Sequence, residues 1–311
     1  MKKFALTFLL LITLLFGALL SFAQDEQKPY LVKEFNLGSN GKLITKTSGG
    51  SIKVTGTKSD MAKITMYIRP SNWRNRNDAP SKELLAKYTF DIRKEGNTLY
   101  AVAERKEKSW IWDDESLSVS FEIEVPQQTT TNLHTSGGSI SLGNVTGTQE
   151  VKTSGGSLTF KNIKGKIVAH TSGGSIRVNQ YNGNLDAHTS GGSINLDEAT
   201  GILKAHTSGG SIHLKSVSGD IEAHTSGGSI HADVERLGKF LTLTTSGGSV
   251  HATVPGGKGL DLDLAGNSVK TQLSNFTGSS EKNRVKGSIN GGGTPVKLST
   301  SGGTTELSYR M

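Results

Sequence analysis

The stretch Thr-Ser-Gly-Gly-Ser-Ile at residues 171–176 decides the fold, because it recurs along the chain. The same six residues stand at 47–52, 135–140, 189–194, 207–212 and 225–230. Variants that end in Leu158 and Val250 begin at Thr153 and Thr245, and a last Thr-Ser-Gly-Gly begins at Thr300. From residue 135 to residue 225 the starts are 18 residues apart. A fixed period of this size is typical of stacked repeat architectures.

Each repeat carries the pattern of strands and turns. Counted from the Thr as position zero, positions five, seven, ten, fourteen and sixteen are mostly apolar, as in Ile176, Val178, Tyr181, Leu185 and Ala187. The alternation predicts two short strands per coil, at five and seven and at fourteen and sixteen. The Gly-Gly pair and a Gly at position twelve predict bends. Stacked coils would pair at a spacing of about 4.8 Å, with Ser and Thr columns satisfying backbone groups at the corner. We therefore predict an all-β fold, a single-chain β-solenoid (β-helix).

The repeat also divides the chain. Residues 1–23 have the charged start, the apolar run and the Ser21-Phe22-Ala23 cleavage site of a signal peptide; an uncleaved membrane anchor is the alternative. We expect a lead-in over 24–34 and a solenoid over 35–308. The solenoid would comprise a first coil (35–57), a β-rich interruption (58–130), regular coils of 18–20 residues (131–254) and irregular C-terminal coils (255–308). With no later apolar run of that length, we expect export to the periplasm, the outer surface or the medium, without a transmembrane domain.

The interruption has strand patterns of its own and the chain's three tryptophans. We predict strands over Met61–Arg69, Ala86–Arg93, Thr98–Arg105 and Leu117–Val125, with a hairpin turn at Glu95-Gly96-Asn97. Trp73, Trp110 and Trp112 stand near Arg74 and Arg76. Exposed aromatic rings could stack on sugar rings, and the favoured alternative is that they cover an open end of the stack. If one ligand binds specifically, we expect it at these five residues, because a unique ligand needs non-repeating side chains.

The eight histidines obey the repeat. A first histidine column precedes the threonines and comprises His134, His170, His188, His206 and His224; a second histidine column at position six comprises His213, His231 and His251. Metal binding by His170, His188, His206 and His224 is one interpretation. A stacked surface ladder is favoured, because no carboxylate or cysteine recurs at a fixed offset to complete a metal site. Adjacent imidazoles repel once protonated, so acid should loosen these coils.

Charge and motifs argue against most catalytic classes. The net charge of +8 is spread along the chain, so we expect solvated charged faces and no nucleic-acid partner. The chain has no cysteine. Asp186, Lys204 and Glu222 would meet as exposed ion pairs of little energy. The chain lacks a P-loop and a G-x-S-x-G elbow. We expect no catalytic residue and no cofactor.

Three parts of the sequence together resemble the bacterial putative-adhesin family. They are SVSFEIEVP at 118–126, the Thr-Ser-Gly-Gly-Ser-Ile repeats, and GGGTPVKLSTSGG at 291–303. That family is a β-strand repeat domain of unknown function, similar to the head domains of auto-transporter adhesins, and the resemblance covers roughly residues 35–308. It implies a solenoid fold and carries over no catalytic or binding residue.

We therefore expect an exported, non-catalytic, adhesin-like protein of the bacterial envelope, with a binding or structural role. Its partner would be a cell-surface glycan or an envelope protein. One alternative is a periplasmic structural or sensing component that acts through protein contacts. The other is a carbohydrate-active enzyme, which the missing pair of in-register carboxylates disfavours.

Overall fold

Strands make up nearly all of the regular structure. The computed structural model describes residues 28–72, 79–106 and 116–310, and within these ranges it has one short helix, α1 (Lys82–Ala86). The strands in chain order are β1 (Leu31–Asn36), β2 (Gly41–Thr47), β3 (Ile52–Thr57), β4 (Met61–Pro70), β5 (Tyr88–Glu95), β6 (Thr98–Arg105), β7 (Leu117–Pro126), β8 (Thr129–Thr135), β9 (Ile140–Gly143), β10 (Thr146–Lys152), β11 (Leu158–Thr171), β12 (Ile176–Thr189), β13 (Ile194–Thr207), β14 (Ile212–Thr225), β15 (Ile230–Thr245), β16 (Val250–Pro255), β17 (Leu260–Ala265), β18 (Ser268–Thr271), β19 (Phe276–Ser280), β20 (Arg284–Ile289), β21 (Thr294–Thr300) and β22 (Thr304–Arg310).

The regular coils stack in parallel and in register, which confirms the predicted β-solenoid. In β12 and β13, Ile176 lies opposite Ile194 and Thr189 opposite Thr207. Along β12 the buried residues are those at positions five, seven, ten, fourteen and sixteen, together with the next Thr. Apolar side chains at these positions fill the inside of the stack, and the residues between them point outward. The hydrophobic effect therefore sets the register of every coil.

The coil that begins at Thr135 has the two short strands that the sequence predicts, β9 and β10, whereas each of the next five coils is one long bent strand, β11 to β15. The chain bends at position nine, where Asn144, Asn162, Gln180, Glu198 and Ser216 have left-handed backbones with φ between +52° and +59°. This residue breaks the alternation, so position ten faces inward again. Asn adopts this conformation more readily than most residues. Two of the five members are Asn, and this was the signal that the sequence analysis missed.

The Thr-Ser-Gly-Gly corner depends on contact between coils. Thr189 Oγ1 donates to Gly174 O of the preceding coil at 2.8 Å, and Gly192 N donates to Thr189 Oγ1 at 3.4 Å. A Cβ on Gly192 would lie 2.1 Å from Gly174 O. The described Gly-Gly pairs of the repeat do not have positive φ. The predicted bend is confirmed at residues 172–174, 190–192 and 208–210. The second glycine is required there because it makes room for the neighbouring coil, and not because of its own φ angle.

At the N-terminal end, chain order and spatial order differ. The coil of β2 and β3 lies between β8 and β9 on one side and β6 and β7 on the other. Beyond these, β5 adds antiparallel to β6, β4 to β7, and β1 to β4. The β-rich interruption therefore extends the same two sheets past the coil of β2 and β3. Its four predicted strands and the hairpin at Gly96, whose φ is +55°, are confirmed, except that the second strand begins at Tyr88 because Ala86 ends α1.

The C-terminal end repeats this arrangement. Strands β21 and β22 stack directly on β15 and β16, so that Thr300 lies opposite Thr245. The earlier strands β17 and β18 pair with the outer side of β21 and β22, and β20 and β19 add antiparallel beyond β17. At both ends, therefore, strands that lie between two stacked coils in the sequence lie outside those coils in space. A single hydrophobic core runs from Leu37 to Leu307.

Candidate functional site

The outward side chains form straight columns along both sheets. On one sheet, the residue before each corner Thr continues from coil to coil as Lys46, His134, Lys152, His170, His188, His206 and His224, followed by Thr244 and Ser299. The first histidine column is therefore interrupted by Lys152 and preceded by Lys46. Each of these seven basic side chains is exposed or half-exposed.

Four imidazoles of this column make ring contacts in two pairs. The rings of His170 and His188 are stacked with centroids 5.0 Å apart, and those of His206 and His224 are tilted at 6.3 Å. Partial burial lowers the pKa of His170, and neighbouring His188 and Lys152 lower it further. Burial is also the main cause that lowers the pKa of His134 and His206. The folded protein therefore disfavours the charged form of His134, His170 and His206, which take up protons only in acid.

The neighbouring outward column, two residues earlier on each strand, carries mixed charge. It runs through Ile44, Asn132, Glu150, Val168, Asp186, Lys204 and Glu222. Lys204 Nζ lies 3.9 Å from Glu222 Oε2, which confirms that expected ion pair. Both side chains are about half-exposed, so the pair contributes on the order of 0–1 kcal/mol. These groups are structural and solvent-facing.

The second histidine column lies on the other sheet and ends at a carboxylate. Ring centroids are 5.4 Å apart for His213 and His231 and 5.0 Å for His231 and His251. His251 Nδ1 then lies 3.2 Å from Glu306 Oε2. An open groove of about 430 Å³ runs beside these rings. Sequence reasoning missed Glu306, although it stands at position six of the coil that begins at Thr300.

A second open groove, of about 530 Å³, lies at the N-terminal end beside β1, β3, β4 and β7. Lys53 Nζ donates to Glu122 Oε1, and Tyr67 Oη donates to Glu122 Oε2 at 3.3 Å. The hydrogen bond and the charge of Glu122 raise the pKa of Lys53. Glu122 is thus bound by a lysine and a tyrosine, an arrangement that suits a surface ion pair.

The predicted ligand-binding residues lie outside the described part of the chain; they are Trp73, Trp110, Trp112, Arg74 and Arg76. The described residues that flank them do come together. Ser71 N donates to Ser116 O at 2.7 Å, and Pro70 lies opposite Leu117 in the β4–β7 pair. Two segments that are distant in sequence thus leave the sheet side by side.

Neither metal ligands nor a membrane span emerge from the described part of the chain. Within 28–72, 79–106 and 116–310, no group of three or more His, Cys, Asp or Glu side chains is placed to hold a metal ion. The four histidines considered as metal ligands make ring contacts in two pairs, His170 with His188 (stacked) and His206 with His224 (tilted). The same ranges contain no helix long and apolar enough to cross a membrane.

Solved structures with some similarity to this chain have been described as binding or adhesion proteins. A putative adhesin from Bacteroides fragilis is 14% identical, with a TM-score of 0.42, over 89% of this chain and 96% of that one. A putative lipid binding protein from Parabacteroides distasonis is 12% identical, with a TM-score of 0.38 and the same coverages. A putative cell adhesion protein from Clostridium sporogenes is 11% identical, with a TM-score of 0.22, over 91% and 100%. No curated protein matches.

The family assignment agrees with the geometry of the stacked coils. The family model described as Toastrack DUF4097 matches residues 21–308, which include the whole solenoid and both of its extended ends. The adhesin-like repeat family indicated by the sequence is thereby supported. The chain belongs to the Toastrack DUF4097 family.

Proposed function

We propose that this protein is an exported, non-catalytic, adhesin-like binding protein of the bacterial envelope whose partner is a cell-surface glycan. One observation carries the proposal. Polar side chains stand in straight, in-register columns on both outer sheets, while apolar side chains fill the interior of the coils. Such a stack is a rigid surface with repeated chemistry, which suits binding to a repetitive partner such as a polymer.

Export rests on the leader at residues 1–23. Protease treatment of intact cells tests the location, with a cytoplasmic protein and a known periplasmic protein as controls. Digestion in intact cells would support an outer-surface position. Digestion only after the outer membrane is opened would favour the periplasm, and with it the alternative role as a structural or sensing component acting through protein contacts.

Specific recognition is assigned to Trp73, Trp110, Trp112, Arg74 and Arg76. The hydrogen bond between Ser71 and Ser116 supports this assignment, because it joins the bases of the two segments that carry these residues. Side chains that do not repeat are suited to a specific ligand, and aromatic rings stack on the apolar faces of sugars.

Polysaccharide pull-down tests the assignment. The test variant combines Trp73→Ala, Trp110→Ala and Trp112→Ala, and the matched control is Tyr30→Ala, which removes an aromatic ring that is 52% exposed elsewhere. Binding that survives in the control and is lost in the test variant supports glycan adhesion, provided both melt like wild type. Absence of binding in all three forms favours the protein-contact role. Release of sugar products would show an enzyme.

A further inference from the structure

Seven basic side chains form one uninterrupted line across the strands of a single sheet. This cationic column consists of Lys46, His134, Lys152, His170, His188, His206 and His224. Neighbouring strands are about 4.8 Å apart, so the line presents one basic group per coil over seven coils. In the sequence the whole β-rich interruption (58–130) lies between Lys46 and His134, and in the structure the two residues are neighbours.

The net charge of the cationic column and of the groups that face it depends on pH. The charged groups that face it are Glu150, Asp186, Lys204 and Glu222 in the neighbouring outward column and Glu104, which forms an ion pair with Lys46. The corner residues on its other side are serines and threonines. With neutral imidazoles, three lysines and four carboxylates give these groups together a formal charge of −1. Five imidazolium ions would bring it to +4.

We propose that the cationic column is a docking strip for a linear polysaccharide with one carboxylate per sugar, engaged when the imidazoles are protonated. The proposal rests on the proposed binding function and names a substrate class for it. Imidazolium and ammonium groups donate charge-assisted hydrogen bonds to carboxylates. A straight line of single charges fits an extended polymer chain, because successive charges of the polymer can meet successive coils.

The chemistry of the surrounding surface distinguishes this partner from other anionic ones. The cationic column and its neighbouring outward column contain no Phe, Tyr or Trp among their described residues, and these large rings are the usual platform on which the bases of single-stranded nucleic acids stack. The exposed apolar residues on this sheet are the isolated Val168 and Ile202. Insertion into a lipid surface needs a continuous apolar face.

Protonation and binding are linked in this arrangement. Stacked imidazolium ions 5.0 Å apart, such as His170 and His188, repel each other. A polyanion laid along the column would relieve this repulsion and favour the protonated form. The polymer should therefore bind in acid, and it should restore stability that the free protein loses there.

The experiment uses the full-length protein and polygalacturonate as the probe, titrated at about pH 5 and about pH 7.5 at constant ionic strength. We expect at least about tenfold tighter binding in acid and a steeper salt dependence, because five more cations take part. Fully methyl-esterified polygalacturonate, which is neutral, should show no pH dependence. Single-stranded DNA tests the nucleic-acid alternative.

Matched variants locate the strip. Combining His170→Asn, His188→Asn, His206→Asn and His224→Asn should abolish most of the pH dependence. Combining His213→Asn, His231→Asn and His251→Asn, on the other sheet, should keep it. Lys152→Gln leaves the imidazoles in place, so it should weaken binding at both pH values by a similar factor. It also tests the strip if the fourfold variant fails to fold.

Several outcomes would overturn the proposal. They are pH-independent binding by wild type, equal loss in both histidine variants, equal affinity for the methyl ester, and tighter acid-dependent binding of single-stranded DNA. Failure here can be told from failure of the glycan-binding role, because the tryptophan variant acts on neutral polysaccharides and at all pH values. If only the tryptophan variant loses polysaccharide binding, glycan adhesion is supported and the cationic column is not its binding site.

Discussion

The two corners of each regular coil make the same change of direction by different means. The Thr-Ser-Gly-Gly corner has the same residues in coil after coil and ordinary φ angles at its glycines. The opposite corner has different residues at position nine, all with positive φ, and a Gly at position twelve whose φ lies between +112° and +148°. Bending alone therefore tolerates variation. At the Thr-Ser-Gly-Gly corner, the second glycine is required by close contact with the neighbouring coil.

The largest effect on stability is expected when the two glycines of one pair are replaced separately. Gly192→Ala should cost about 3 kcal/mol of folding free energy, because its Cβ would lie 2.1 Å from the carbonyl of the preceding coil. Gly191→Ala should cost less than about 0.5 kcal/mol, since its nearest contact is 3.5 Å. Urea unfolding of both variants measures the difference. Equal costs would show that the bend, and not coil contact, requires the glycines.

The next test concerns the corner hydroxyl. Thr189→Val keeps the shape of the buried side chain and removes the hydroxyl that bridges Gly174 and Gly192, so it should cost about 2 kcal/mol. The matched control is Thr45→Val, because Thr45 is equally buried and its Oγ1 has no hydrogen-bond partner among the described residues. That change should be neutral or stabilise by about 1 kcal/mol. Destabilisation of similar size in both variants would contradict the bridging role.

A smaller effect is expected at the opposite corner. Glu198 has φ of +55°, a conformation that Asn adopts more readily. Glu198→Asn should therefore stabilise the protein by about 0.5 kcal/mol. Glu235→Asn makes the same chemical change on an exposed residue of β15 without positive φ, so no gain is expected there. Thermal melting of the two variants checks the prediction, and a gain at Glu235 alone would contradict it.

The smallest effect involves the histidines beside the Thr corner. The pKa values of His170 and His206 are lower in the folded protein, mainly through burial. The unfolded chain therefore binds more protons, and stability should fall as the pH drops below the ordinary histidine value of about 6.5. Between about pH 8 and about pH 5.5 the Tm of wild type should fall more than that of the variant with asparagine at His170, His188, His206 and His224. Parallel curves would refute the contribution of the column.

Much of the fold could be predicted because each position of the repeat has the same burial in coil after coil, so its residue preference is visible several times. The apolar positions five, seven, ten, fourteen and sixteen, the stacking register and the strands of the interruption follow from alternation and period. The left-handed residue at position nine was harder to see, since Gln180, Glu198 and Ser216 give no local signal for positive φ. The reason for the second glycine could not be read from one coil, because the atom that excludes a Cβ belongs to another.

The candidate sites show the same limit. Both histidine columns were visible in the sequence, since their members share a position in the repeat. Their ring contacts at 5.0–6.3 Å, and the contact of His251 with Glu306 on a strand 55 residues away, depend on which coils are neighbours. Lys46 shares the repeat position of the first histidine column, and it becomes the neighbour of His134 because β2 pairs with β8.

The sequence by itself determined the all-β solenoid, the length of its coil and the side of the strand on which each residue lies. These properties depend on local geometry and on the burial of apolar side chains, and the period repeats them. The tertiary structure alone decided the order of coils at the two ends. There the chain passes outside one coil and returns, so that β2 meets β8 and β21 meets β15. Such a choice depends on long-range strand pairing, which a local pattern does not encode.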